Sequence, residues 1–156
     1  MNSIIVASNK KKAGKTSVAS ALSEHLNANS VKSVILNTQN GNKKSNFSEE
    51  LGLEIINSSF TEDGDVGKLS EEIINNAKAN ILISESNSND SKVNVEISKK
   101  SNSKILYVAS INEDMDSIVK YYGESLGGIV LNKIPRHRYE EILKKYDSLP
   151  FLGYIP

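Results

Sequence analysis

The sequence has no cysteine among its 156 residues, which excludes disulfides, thiolate metal sites and cysteine nucleophiles and agrees with a reducing compartment. Net charge is also missing. The 19 basic and 19 acidic residues cancel, which argues against a nucleic acid or a membrane surface as the main partner. No apolar stretch is long enough to span a bilayer, and the N-terminus enters a strand at once, with no signal-peptide architecture. A cytoplasmic protein is therefore expected. Tryptophan is absent while asparagine, serine and lysine abound, a bias that reads as host composition and carries no functional weight. The length suits one domain, residues 1–156, with a sizeable core.

What the chain does have is concentrated between Ile4 and Leu26. An apolar strand, Ile4 to Ala7, runs into Ser8-Asn9-Lys10-Lys11-Lys12-Ala13-Gly14-Lys15-Thr16-Ser17, and a helix follows. A phosphate-binding loop needs a tight turn with inward backbone N–H groups, a lysine for the terminal phosphates and a hydroxyl for magnesium, and Gly14, Lys15 and Thr16 supply these. Val18, Leu22 and Leu26 fall on one helical face with Ala19 and Ala21 beside it. The helix N-terminus is thereby buried and aimed at the anion. The expected nucleotide-binding residues are Asn9, Lys10, Lys11, Lys12, Ala13, Gly14, Lys15, Thr16 and Ser17. The alternative for Lys10, Lys11 and Lys12 is a solvated basic run.

The first glycine of the common loop pattern is replaced by Asn9. With Ser8 to Thr16 taken as one block, the loop resembles that of dethiobiotin synthetases, the cobyrinic acid a,c-diamide synthase group and, more distantly, the partition and septum-placement ATPases. Lys10 stands where the last group carries a second lysine, which in those proteins reaches the nucleotide of a partner subunit. Dethiobiotin synthetases carry a substrate-holding lysine at the end of their second strand, where this chain has Leu36, Asn37 and Thr38. That departure counts against the biotin-pathway reaction.

In chain order, Val31 to Leu36 reads as a second buried strand whose exit loop, Asn37 to Asn42, faces the ligand. A short helix around Phe47 to Leu51 and a short apolar piece at Leu53 to Ile56 follow. Glu49, Glu50, Asp63 and Asp65 read as solvated surface carboxylates rather than magnesium contacts. Asp65 caps a helix carrying Leu69, Ile73 and Ala77. The third strand, Ile81 to Ser84, ends at Glu85, where such folds hold magnesium or orient an attacking group, the alternative being an ordinary strand-end residue. The segment resembles the strand-then-Glu-Gly of the dethiobiotin synthetase and cobyrinate groups, with Ser86 in place of glycine. Val93 to Ile97 alternates like a strand, yet a helix is expected, because Glu85 and the next strand, Lys104 to Ala109, need a crossover for parallel pairing.

Met115, Ile118, Val119 and Tyr122 give the stripe of a further amphipathic helix, and Gly127 to Pro135 supply a strand with its exit loop. The run Gly-Ile-Val-Leu-Asn-Lys looks like the segment in which these nucleotide-binding proteins place an asparagine on the base, so Asn132 is the expected base-contacting residue. Its alternative is a turn cap. Pro135 stands where guanine-selective switches have aspartate, which favours adenine. Tyr139, Ile142, Leu143 and Tyr146 mark a last helix, His137 beside Arg136 and Arg138 reads as surface, and Phe151 to Pro156 reads as a final strand.

Alternating strands and helices imply an α/β fold, a doubly wound and mainly parallel sheet of the three-layer, P-loop type, with the site across the strands' carboxyl ends. Over nearly its whole length the chain resembles the dethiobiotin-synthetase-like domain that heads some phosphotransacetylase-like proteins. In such relatives the chain continues past Leu152 to Pro156; here it stops, and contacts from a later loop are expected to be missing. The resemblance implies ATP and magnesium as cofactors, Lys15 and Glu85 as catalytic residues, and Thr16 and Glu85 as metal ligands. It implies phosphoryl transfer to a small carboxylate or related substrate, as a ligase or ATPase. A nucleotide-dependent regulatory or dimerising module stays open as the alternative, with a homodimer as its partner; a DNA-partition role is third, since only Lys10 speaks for it.

Overall fold

The computed structural model describes residues 2–38, 50–60, 65–78, 80–86 and 88–155. Seven strands form one sheet: β1 (Ser3–Ala7), β2 (Ser33–Asn37), β3 (Ile55–Asn57), β4 (Ile81–Glu85), β5 (Lys104–Ala109), β6 (Leu126–Asn132) and β7 (Phe151–Ile155), in the order β3-β2-β4-β1-β5-β6-β7. Every pairing between them is parallel, so the expected mainly parallel sheet is wholly so among the described residues. Helices α1 (Lys15–Ala28), α2 (Val66–Asn76), α3 (Ser91–Ser101), α4 (Met115–Tyr122) and α5 (Arg136–Lys145) lie among the crossovers that parallel strands require. This is the α/β three-layer architecture.

The two-residue period of β1 divides the core. Ile5 and Ala7 face one layer, joining Leu69 and Ile73 of α2, Ile97 of α3 and Met115, Ile118 and Tyr122 of α4. Val6 faces the other, against Val18 and Ala19 of α1, with Leu22 and Leu26 packed beside them. Ala21 departs from expectation: it is exposed, and Ser20 and Ser23 are buried in its stead. Ser23 can stay inside because its hydroxyl meets that of Ser33 at 2.8 Å, so a polar pair replaces the apolar contact.

Most other elements fall where the pattern puts them. Asp65 caps α2, its carboxylate accepting from the Lys68 amide at 3.0 Å. Residues 91–101 are helical despite the alternation of Val93, Val95 and Ile97, and the αL residue Asn102 ends the helix. Val31 is excluded from β2, which begins at Ser33, and the piece expected at Leu53 to Ile56 is an edge strand at Ile55–Asn57. Glu49, Asp63, most of the Phe47 to Leu51 helix, Pro156 and the loop beyond Thr38 lie outside the described residues. No helix among the described residues is long and apolar enough to cross a membrane.

Ile73, fully buried between α2 and the sheet, is expected to be the costly position of this layer: Ile73→Ala should lower unfolding free energy by about 2–5 kcal/mol, read as a lower urea midpoint at unchanged slope.

Candidate functional site

β1 ends at the centre of the sheet, and residues 8–14 turn back over its carboxyl end into α1. Lys12 (φ 56°) and Gly14 (φ 91°) are left-handed and flank Ala13, an alternation that gathers backbone N–H groups into an anion-binding concavity. Gly14 is also the residue preceding α1, and no side chain caps that end, so the first-turn amides stay available to an anion. A Cβ at Gly14 would come within 2.0 Å of the Asn132 amide nitrogen. Glycine is thus required twice over, by its φ and by this approach.

Parallel pairing of β1 with β4 sets Val6 opposite Glu85, and the Ser86 amide donates to Val6 at 3.0 Å. Glu85 therefore emerges beside the loop, where the Thr16 hydroxyl donates to its Oε1 at 2.6 Å. On its other side, Thr38 Oγ1 donates to the Glu85 carbonyl at 3.0 Å. Only 7% of Glu85 is exposed, and burial pushes its carboxyl above the ordinary value of 4.5, with the Thr16 hydroxyl and the Lys15 ammonium pulling it back in part. Thr16 and Glu85, expected to share a magnesium ion, are thus brought together. One hydroxyl and one carboxylate suit magnesium, which takes few protein oxygens and keeps its waters.

The loop residues 11–17 line a cavity of about 420 Å³ together with Glu85 and Asn89. Lys11, Lys12 and Lys15 face it against the single carboxylate of Glu85, so it suits an anion. A larger cavity of about 600 Å³ lies between Ile111–Met115 and α5. Its charges are already answered: Arg138 meets Glu141 at 2.7 Å, and Lys145 sits over the Tyr146 ring at 4.7 Å. The smaller cavity is the better ligand site on that ground.

Asn132, the expected base-contacting residue, lies against the loop, its amide donating to the Ala13 carbonyl at 2.6 Å. Asn9 and Lys10 are outside the cavity lining. Lys10 donates from Nζ to Ser110 Oγ at 3.0 Å within its own chain. Asn9 is a bracket: its backbone amide donates to the Tyr107 hydroxyl at 3.1 Å, and its side-chain oxygen accepts from Ser91 Oγ at 2.8 Å and from Tyr122 at 3.0 Å. Ser17 lines the cavity edge from the first turn of α1, and it is exposed.

Sequence reasoning missed Tyr107, Glu113 and Lys133. The Tyr107 hydroxyl donates to Glu113 at 2.6 Å, the other Glu113 oxygen takes the Ser110 amide at 2.7 Å, and Lys133 reaches the Lys12 carbonyl at 3.4 Å. Tyr107 lies in an apolar strand and read as core; no pattern in one sequence pairs residues 98 positions apart. His137 is exposed, as expected, and no cluster of three or more metal-ligating side chains occurs among the described residues.

Because the folded chain holds the Glu85 proton more tightly than the unfolded one, its stabilising share is complete below pH 4.5 and lost as pH rises from there through the raised value. Glu85→Gln keeps an acceptor for Thr16 and removes the buried charge. It is expected to flatten that decline and leave the ligand-free protein more stable than the parent at neutral pH, as measured by urea unfolding across the acid to neutral range.

No family model and no curated protein matches the sequence. Solved structures do. The 54 kDa signal recognition particle protein of Aeropyrum pernix, in complex with GDP, is similar at TM-score 0.72 and 10% identity over 99% of this chain and 41% of its own. A plasmid partition protein of Borrelia burgdorferi bound to AMPPNP gives TM-score 0.65 and 11% identity over 99% and 86%. The septum site-determining protein MinD of Pyrococcus horikoshii with Mg-ADP gives 0.64 and 17% over 99% and 81%. The chain spans about half the length of the signal recognition proteins it matches. At these identities the likeness is one of fold, the α/β three-layer parallel sheet described above.

Proposed function

We propose that this chain is a single nucleotide-binding domain that takes a nucleoside triphosphate with magnesium beneath residues 11–17 and directs attack on its terminal phosphate. The observation that carries this is the Thr16 hydroxyl on Glu85 at 2.6 Å, at the edge of a lysine-lined cavity behind a left-handed loop. Lys15, at the first position of α1, would meet the terminal phosphates, with Lys11 and Lys12 adding positive charge. Thr16 and Glu85 would hold magnesium, which supplies charge neutralisation at the phosphates when bound. Glu85 then works as a carboxylate, since a nearby cation reverses the effect of burial. The nucleotides in the similar structures, GDP, Mg-ADP and AMPPNP, support a nucleotide without choosing its base. Pro135 in place of an aspartate favours adenine.

The phosphoryl acceptor is a small carboxylate, as the resemblance implies, in a ligase-type enzyme, or water in an ATPase-type one. The second reading, a nucleotide-dependent regulatory module, draws support from the end of β2. There Asn37 donates to Asn57 and Thr38 to the Glu85 carbonyl, with no lysine for a second substrate. An ATP-switched dimer is disfavoured, because Lys10 is held by Ser110 of its own chain and the neighbouring Lys11 and Lys12 would repel their copies across a two-fold axis.

Calorimetry with Mg-ATP tests the central claim. Lys15→Ala should lose at least about a hundredfold in affinity, since the phosphates lose their main cation; equal affinity in both proteins would end the proposal. Sedimentation with a non-hydrolysable ATP analogue tests the second point, and no change in mass is expected. A monomer becoming a dimer, blocked by Lys10→Ala, would turn the reading to a switch.

A further inference from the structure

Beyond the loop itself, two residues line the phosphate cavity, Glu85 and Asn89. Asn89 belongs to the segment between β4 and α3, just before the cap Asp90. Its neighbours are densely bonded: Ser86 Oγ donates to Asn94 Oδ1 at 2.5 Å, Asn94 Nδ2 to the Ser88 carbonyl at 3.3 Å, and the Asp90 amide to Ser88 Oγ at 3.0 Å. The Asn89 side-chain oxygen, by contrast, is shut off from solvent with no hydrogen-bond partner, alone in this among side-chain atoms of the described residues. A buried acceptor without a donor is costly, and where a native chain keeps one a role is to be sought.

The chemistry of the cavity restricts what can answer it. Phosphate oxygens and the Glu85 carboxylate are acceptors, so a triphosphate alone brings no donor. Lys11, Lys12 and Lys15 are donors, but anionic phosphates claim them first. A carboxylate substrate carries no hydrogen at its attacking oxygen. Water does.

We infer that Asn89 contacts the reacting group: with nucleotide bound, its amide oxygen turns into the cavity and accepts a hydrogen bond from the water that attacks the terminal phosphate. The turn is needed because the oxygen is closed to solvent in this arrangement, and rotation of a half-buried loop side chain provides it. In the step, the water oxygen forms a bond to the terminal phosphorus while the bond from that phosphorus to the bridging oxygen breaks. The electron pair leaves on the nucleoside diphosphate. One water proton stays on the new phosphate oxygen, oriented by Asn89 during attack, and the other passes to a second oxygen of the same phosphate, so the product is dihydrogen phosphate. The amide takes no proton; it positions. The inference rests on the proposed triphosphate site and names water as the attacking group.

The test compares the protein with Asn89→Leu, which keeps the volume and deletes the acceptor, in complexes of ADP and magnesium with beryllium fluoride or aluminium fluoride. The first mimics bound triphosphate without an attacking water; the second is planar and holds one at its apex. The variant should bind the aluminium complex about tenfold more weakly and the beryllium complex within about twofold of the parent, which also reports that it folds. Equal losses in both complexes, or no loss in either, overturn the inference. So does a parent protein that binds the beryllium complex but assembles the aluminium one only when a small carboxylate is added, or not at all. A parent that binds neither overturns the triphosphate site as well.

Discussion

A buried carboxylate at the end of β4 is the constraint on which the site depends. Glu85 is inside, and its contact with Thr16 exists only because β4, fourth in sequence, lies directly beside β1, inserted between β1 and β2. Were β2 the neighbour of β1, Asn37 and Thr38 would stand where Glu85 does, and the loop hydroxyl would have no anion to meet. The chain achieves this order through apolar runs on both sides of a parallel sheet, with Leu82 and Ile83 buried on opposite faces. The hydrophobic pattern of β4 thus fixes an electrostatic arrangement at its tip.

The proximal half of the loop shows a second solution to a steric problem. A glycine at position 9 would keep only the backbone bond to the Tyr107 hydroxyl; the Asn9 side chain adds bonds from the hydroxyls of Ser91 and Tyr122. Burial, and then the Glu113 contact, push the Tyr107 hydroxyl far above its ordinary range. It therefore stays neutral and can accept from Asn9 while donating to Glu113. Lys10 joins the same network through Ser110, so the basic run is not one solvated unit. Lys10 faces the body of its own chain, and Lys11 and Lys12 face the cavity.

How much of this was legible follows from range. Local pattern placed the strands and the α2 cap at Asp65, while the helix around Val93 to Ile97 followed, against its own alternation, from the length a crossover needs. The pairing of Thr16 with Glu85 was legible one step further, from two motifs whose strands had to be adjacent. The partners of Asn9 and Asn132 were not: those of Asn9 lie on three other elements and that of Asn132 in the loop, and nothing local distinguishes a tyrosine that anchors a loop from one that fills a core. Ala21 and Ser23 exchanged places for a related reason, since a serine is tolerated inside when a strand it has never met in sequence offers another hydroxyl.

Asn132 illustrates how the two ends of the site are tied. Its amide occupies the space that a side chain at position 14 would fill, so the glycine and the asparagine are mutually required. Its bond to Ala13 spans the gap between the exit of β6 and the loop with a separation of 119 residues. Lys133, left-handed at φ 58°, adds a contact to the Lys12 carbonyl, and a non-glycine residue in that conformation persists only where its surroundings hold it there. The β6 exit and the loop are therefore joined across that gap by two hydrogen bonds.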